Sequence, residues 1–346
     1  MYKRQVKDEV EPQALEYDRK EKFNLPLLKR CGELGLLGLT VPEVYGGSGM
    51  DAVAAVIVHE EIAKSDPGFA LAFLAHSMLC ANNITVNASD AQKKRVLPKL
   101  CTGEWVGAMG MSEPHVGTDV MGMKTVALKK GGTYQITGRK MWITNGAVDD
   151  EGTPADIVVV YAKTDNRASA EDRRIPVSTF LVEKGMKGYT VGQKIRDKAG
   201  MRGSNTAELV FDQCEVPEAN RLGNEGESML HMMRNLELER LTLAAMSLGI
   251  SLRCVSIMTK YASEREAFGQ PLYRFGQIQR HIGESYAEMM AARTYVYNTA
   301  RQMNLTREGN RLDSDGVKLF AATVGKNVAD RAMQVLGGYG YVGEYV

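Results

Sequence analysis

Two short runs carry the side chains best suited to hold a flat, polar molecule. The first is Met109-Gly110-Met111-Ser112-Glu113-Pro114-His115-Val116-Gly117-Thr118-Asp119-Val120, and the second is Lys140-Met141-Trp142-Ile143-Thr144-Asn145-Gly146. The first joins hydroxyls and backbone donors to Gly117, whose missing side chain lets a bulky ligand come close. The second sets an aromatic face near a hydroxyl. In a regular strand Trp142 and Thr144 share one side, so one covers a ring while the other bonds its edge. A nicotinamide dinucleotide is not indicated, because no G-x-G-x-x-G lies between a strand and a helix.

A second chemistry sits in Leu236-Glu237-Leu238-Glu239-Arg240. Helical spacing separates its two carboxylates. Glu237 has Arg234 and Arg240 three residues to either side, the arrangement of an ion-pairing, solvated face or of ligand-phosphate geometry. Glu239 has Leu236 and Leu243 at three and four residues, with Thr242 beside them, and leans into an apolar stripe. A carboxylate kept from water is held toward higher pKa and becomes a better base. His76, alone among apolar neighbours, reads as a satisfied core residue.

The elements that position these groups change character along the chain. Apolar residues recur at helical spacing in Leu25–Leu36 and Val53–Ile62, the Gly-rich stretch 41–49 reads as a loop, and Ser89-Asp90 caps a helix that ends near Thr102-Gly103. From Trp105 the pattern becomes short β runs: 125–129, 134–137, 140–144, 156–164, 177–182 and 207–211. Gly131-Gly132 and Gly138-Arg139 fit hairpin turns between them. Segments 149–155 and 166–174 read as surface loops. After Cys214-Glu215-Val216-Pro217 the chain returns to helix over about 228–264, 277–304 and 313–334, with a charged loop at 307–311. The expectation is an α+β chain: an N-terminal helical domain (1–104), a middle antiparallel β-barrel or sandwich (105–218) and a C-terminal helical bundle (219–346).

The 346 residues exceed one ordinary core. With 43 basic against 42 acidic side chains there is no field to hold nucleic acid or an anionic membrane, and no apolar run approaches a membrane span. Cys31, Cys80, Cys101, Cys214 and Cys254 are odd in number and lack C-x-x-C, which points to reduced thiols inside a cell.

Both opening runs resemble the flavin-contacting segments of the acyl-CoA dehydrogenase family. The resemblance covers nearly the whole chain and continues in family order through Gly200-Met201-Arg202-Gly203-Ser204-Asn205-Thr206, the Leu236–Arg240 run, Arg265-Glu266-Ala267-Phe268-Gly269 and Gln334-Val335-Leu336-Gly337-Gly338. It implies FAD held between the β and last helical domains by Met109, Met111, Ser112, Gly117, Thr118, Trp142, Ile143 and Thr144. From a neighbouring subunit of a homotetramer it implies Arg265, Gln334, Gly337 and Gly338, and it places Phe268 among the cofactor contacts as well. Desaturating a thioester between its α and β carbons needs a carboxylate opposite the flavin. The resemblance is to the isovaleryl-CoA branch, which keeps its base in this helix, and it makes Glu239 the base, with Thr118, Glu237 and Arg240 toward the substrate.

The implied activity is desaturation of a short or branched, isovaleryl-like acyl-CoA, with electrons passed to an electron-transfer flavoprotein. The setting would be a bacterial cytoplasm or the mitochondrial matrix. An acyl-CoA oxidase or flavin monooxygenase on the same scaffold, or a non-catalytic relative, are the alternatives. The sequence departs from the family at His115 and Val116, which replace small residues, at Thr118, which replaces a frequent serine, and at Gly276, where a glutamine is usual and Gln277 follows. It ends at Val346, where family members continue through a further loop and helix, so a truncated chain is expected.

Overall fold

The computed structural model describes residues 2–164, 176–306 and 311–343. The loop expected at 166–174 and most of the one at 307–311 lie outside them. The chain forms two compact units: Glu16–Asp51 with Leu71–Leu236, and Met1–Leu15 with Ala52–Ala70 and Glu237–Val346.

The first unit is built on an eight-stranded sheet. Its strands are β1 (Gly107–Gly110), β2 (Val126–Lys130), β3 (Thr133–Thr144), β4 (Ile157–Lys163), β5 (Val177–Glu183), β6 (Tyr189–Ile195), β7 (Thr206–Pro217) and β8 (Arg221–Leu222). They run in the order β6-β7-β3-β2-β4-β5-β8, with β1 also on β4. The expected antiparallel pairing holds for most of the sheet, with two parallel exceptions. β1 pairs with β4 in parallel over four residues, and β2 meets β4 in parallel at Val126 and Lys163.

Every residue of β4 is buried, because both of its faces are covered. Ile157, Val159 and Tyr161 join a cluster with the helical residues Cys80, Ile84, Val96 and Leu100. Val158, Val160 and Ala162 face the strand residues Tyr134, Phe180, Leu209 and Phe211. A strand buried on both faces reads as one apolar run, as this one does. The Asp90–Cys101 helix starts at a capping box: Gln92 N donates to Ser89 Oγ at 3.3 Å and Ser89 N to Gln92 Oε1 at 2.8 Å. The Gln92 amide also donates to the Ala219 and Arg221 carbonyls at 2.7 and 2.9 Å, which fixes that helix to the strand end.

Gly131 takes a positive φ in the β2–β3 turn, as expected. No turn forms at Gly138-Arg139; β3 runs through it with a register shift. Gly138 is needed there because a Cβ would lie 2.4 Å from Thr125 Oγ1, so the glycine marks a bulge under close approach and not a reversal. β1 and β6 have no counterpart among the expected strands.

His76 is a satisfied core residue: Gly107 N donates to Nδ1 at 3.1 Å and Nε2 donates to the Leu100 carbonyl at 3.0 Å. Burial lowers its pKa to about 4, which keeps the ring neutral. Cys31, Cys80, Cys101 and Cys214 are buried and Cys254 is half-buried, all as free thiols.

The second unit packs the helices Ala52–Ser65, Gly276–Gln302 and Arg311–Leu336 with the C-terminal part of Ser228–Glu264. Glu60, 1% exposed, accepts from Arg293 Nε at 3.0 Å and joins two of these helices. Two stretches, Pro67–Asn87 and Ser228–Glu264, are in fact long and apolar enough to cross a membrane, contrary to the reading of the sequence. Half or more of each apolar window is buried in the protein, as in core helices of soluble folds.

Gly249 sets the approach of Ser228–Glu264 to Ala52–Ser65, because a Cβ there would lie 2.2 Å from the Glu60 carbonyl oxygen. Gly249→Ala is expected to lower stability by about 1–3 kcal/mol, the usual cost of overpacking. Urea unfolding followed by circular dichroism measures it, and an unchanged midpoint would show that the helices separate freely.

Candidate active site

In the sheet unit, the two runs singled out in the sequence are bonded to each other. Met141 N donates to the Ser112 carbonyl at 2.9 Å, and the Lys140 ammonium donates to the Met111 carbonyl at 3.0 Å and to Glu113 Oε1 at 2.9 Å. Glu113 also accepts from the amides of Lys124 at 2.6 Å and Thr125 at 3.0 Å. Burial pushes the Glu113 pKa up, but the charge of Lys140 and these donors outweigh it and hold it below the ordinary value.

Regular alternation does not run through Trp142. Its φ is +66°, the ladder to β7 shifts register between Lys140 and Ile143, and Asn145 follows with φ +62°. A left-handed tryptophan within a strand is an outlier that its surroundings must impose. Trp142 is 61% exposed, Ser112 and Thr144 are half-buried, and Gly117 and Thr118 are exposed. Met109 and Met111 lie partly buried against the helix-side core. The Ile143 side chain is inside the sheet core, so its backbone is what it offers a ligand. The Asn145 amide donates to the carbonyls of Ala72 at 2.8 Å and Gly107 at 3.3 Å, and its backbone N–H donates to Asn205 O at 2.9 Å, which pins the end of the bulge.

In the helical unit, Glu239 is half-buried, and its Oε2 is fully buried with no hydrogen-bond partner. Burial raises its pKa to about 7, against the opposing charges of Arg240 and Lys318. Glu237 is the correction here: expected on a solvated face, it is only 5% exposed. Of its flanking arginines, Arg234 donates to Asn87 Oδ1 and Arg240 pairs with Asp315 at 3.1 Å.

The same unit contains a cleft of about 420 Å³ that brings together Arg265, Gly337 and Gly338 with Tyr261 and Tyr339. Gln334 sits on the adjoining helix and its carbonyl accepts from Gly337 N at 3.2 Å. Phe268 is 96% exposed at the tip of the hairpin Glu266–Ala267/Gln270–Pro271, with its ring 6.1 Å from Phe275. The sequence reading did not select Glu113, Lys140, Tyr261, Tyr339 or Asp315. Tyr261 lies one helical turn before Arg265, and Tyr339 follows the glycine pair, so position alone could have found both.

FAD is a fused-ring system with a pyrophosphate and an adenine, and the donor set suits it. A left-handed, exposed indole lies beside Ile143 and Thr144, and a Cβ at Gly117 would meet nothing within 4 Å. The cleft offers a guanidinium, tyrosine rings, and a Gly-Gly pair where a Cβ would likewise meet nothing. Residues of this kind fit a phosphate and a base. Among the described residues no cluster of His, Cys, Asp and Glu could hold a metal ion.

Family models for the N-terminal, middle and C-terminal domains of acyl-CoA dehydrogenase match residues 1–104, 108–214 and 229–346. The chain belongs to the acyl-CoA dehydrogenase family and is an enzyme of that class. It is 43% identical over 344 residues to the mitochondrial isovaleryl-CoA dehydrogenase of Pongo abelii, covering 98% of this chain and 78% of that one. The butyryl-CoA dehydrogenase structure from Megasphaera elsdenii superimposes with a TM-score of 0.92 at 34% identity, over 100% of this chain and 88% of that one. A chain from a structure named for the electron transferring flavoprotein of Acidaminococcus fermentans gives the same TM-score and coverage at 35% identity.

Because Glu239 binds its proton more tightly folded, near pH 7, than in the unfolded chain, near 4.5, stability falls as pH rises through that window and levels off above it. Glu239→Gln removes this loss. The variant is expected to gain about 2–3 kcal/mol relative to wild type at pH 8 and almost nothing at pH 4.5. Denaturant unfolding at the two pH values measures it, and an equal gain at both would place the Glu239 pKa at its ordinary value.

Proposed function

We propose that the enzyme uses FAD to desaturate a short or branched acyl-CoA of the isovaleryl type and passes the electrons to an electron-transfer flavoprotein. The observation that carries the reading is Glu239, a carboxylate with a buried, unpartnered oxygen and a pKa near 7. Such a group takes a proton from carbon far better than an exposed carboxylate, since it is poised near working pH. Its place in the Leu236–Arg240 run and the 43% identity to isovaleryl-CoA dehydrogenase support the substrate class. The structure named for an electron transferring flavoprotein supports the electron acceptor.

In this reading Met109, Met111, Ser112, Gly117, Thr118, Trp142, Ile143 and Thr144 would hold the flavin. Arg265, Gln334, Gly337 and Gly338 would reach a neighbouring subunit's FAD in a homotetramer, and Phe268 would also contact the cofactor. Thr118, Glu237 and Arg240 face the substrate, with Arg240 steadied by Asp315. When bound, FAD would supply the acceptor for the hydride from the β carbon. Glu239 would take the α proton onto its carboxylate, whose buried oxygen has no competing hydrogen-bond donor. The proposed division of the chain is 1–104, 105–218 and 219–346.

Glu239→Gln is expected to lower kcat on isovaleryl-CoA by about 10²–10⁴ with flavin binding kept, and Glu237→Gln by far less. A steady-state assay with an artificial electron acceptor, run beside a peroxide assay, decides. Wild-type turnover in Glu239→Gln would move the base elsewhere, and rapid peroxide formation would make the enzyme an oxidase. Light scattering on the full-length protein is expected to give a tetramer, and a stable, fully active monomer would remove the shared-FAD arrangement.

A further inference from the structure

Lys140 has its whole side chain out of water, and the proton transfer described above makes no use of it. Its stem lies under the first run: a Cβ on Gly110 would be 3.3 Å from Lys140 Cγ. Its ammonium ends on two acceptors of that run, the Met111 carbonyl at 3.0 Å and Glu113 Oε1 at 2.9 Å. Glu113 is itself fixed by the Lys124 and Thr125 amides, so its carboxylate is a rigid anchor for the ammonium.

The Met111 carbonyl belongs to the same planar, trans peptide as the N–H of Ser112. Drawing that carbonyl onto a buried cation aims the Ser112 N–H the opposite way, out of the core. The next peptide is held by both runs, since the Ser112 carbonyl accepts from Met141 N of the second and Glu113 N donates to Val116 O of the first at 2.8 Å. We propose that Lys140 is a positioning residue for the flavin: it locks the Met111-Ser112 peptide so that the Ser112 N–H is presented to the polar edge of the ring. This rests on the FAD reading above. A salt bridge retained only to balance Glu113 would need no bond to a carbonyl.

Three proteins separate positioning from charge balance: wild type, Glu113→Gln, and the double variant Glu113→Gln/Lys140→Met, which leaves no buried unpaired charge. Each is prepared full-length, stripped of flavin, checked by far-ultraviolet circular dichroism and titrated with FAD. Glu113→Gln removes the charge that holds Lys140 protonated in the interior, but its amine still donates to the Met111 carbonyl, and the variant is expected to bind FAD within about threefold of wild type. The double variant loses that donor and is expected to bind about tenfold more weakly, the loss of roughly one aligned hydrogen bond. Its flavin absorbance maximum and midpoint potential also shift from wild type. Equal binding, spectrum and potential in wild type and the double variant would overturn the positioning role, as would Glu113→Gln weakening binding as much as the double variant. Wild-type protein that takes up no FAD would overturn the flavin reading and this inference with it.

Discussion

The sheet unit depends on β4 being closed in from both sides. A strand with Ile157, Val159 and Tyr161 against helices and Val158, Val160 and Ala162 against other strands cannot slip by one residue, because each set would then meet the wrong core. That fixed register carries outward through β1, which pairs along it from Gly107 to Gly110 and delivers the chain directly into Met111 and Ser112. The irregular, polar stretch that follows is thus tethered at its root to the most rigid part of the unit. Loops that bind ligands work best when their ends are held in this way.

Irregular backbone beyond that root is stabilised by charge and amide bonds instead of ladder hydrogen bonds. The Lys140–Glu113 pair lies in the interior, where an ion left alone would be strongly destabilising, and each member has further partners. The left-handed Trp142 sits between this pair on one side and the pinned Asn145 on the other. Both ends of the strained segment are held, and the indole is left facing outward. The helical unit reaches a comparable outcome by another route, placing one carboxylate oxygen where neither water nor a donor meets it.

Much of this was legible from residue types. The Ser89 cap, the helix beginning at Ser228 and ending at Glu264, and the burial of Glu239 follow from local rules of capping and three-four spacing, which operate within one or two turns. What escaped has a non-local cause. Gly138 reads as a turn until Thr125 is known to lie against it, and Glu237 looks solvated until the fold is seen to leave it 5% exposed. The four residues of β1 carry no β-branched side chain, and β6 is largely uncovered, so neither announces itself as a strand. The bulge at Trp142 is set by pairing with β7, which no alternation rule reports.

The buried cysteines have a consequence for how the protein can be handled. Burial raises the thiol pKa of Cys80 to about 12, of Cys101 to about 11 and of Cys214 to about 12, so at neutral pH almost none of these three is present as the reactive thiolate. An alkylating reagent reaches them only during openings that expose the core, while half-buried Cys254 has less to shed. Their labelling rate is therefore a clock for the opening of the sheet unit, read without any added probe.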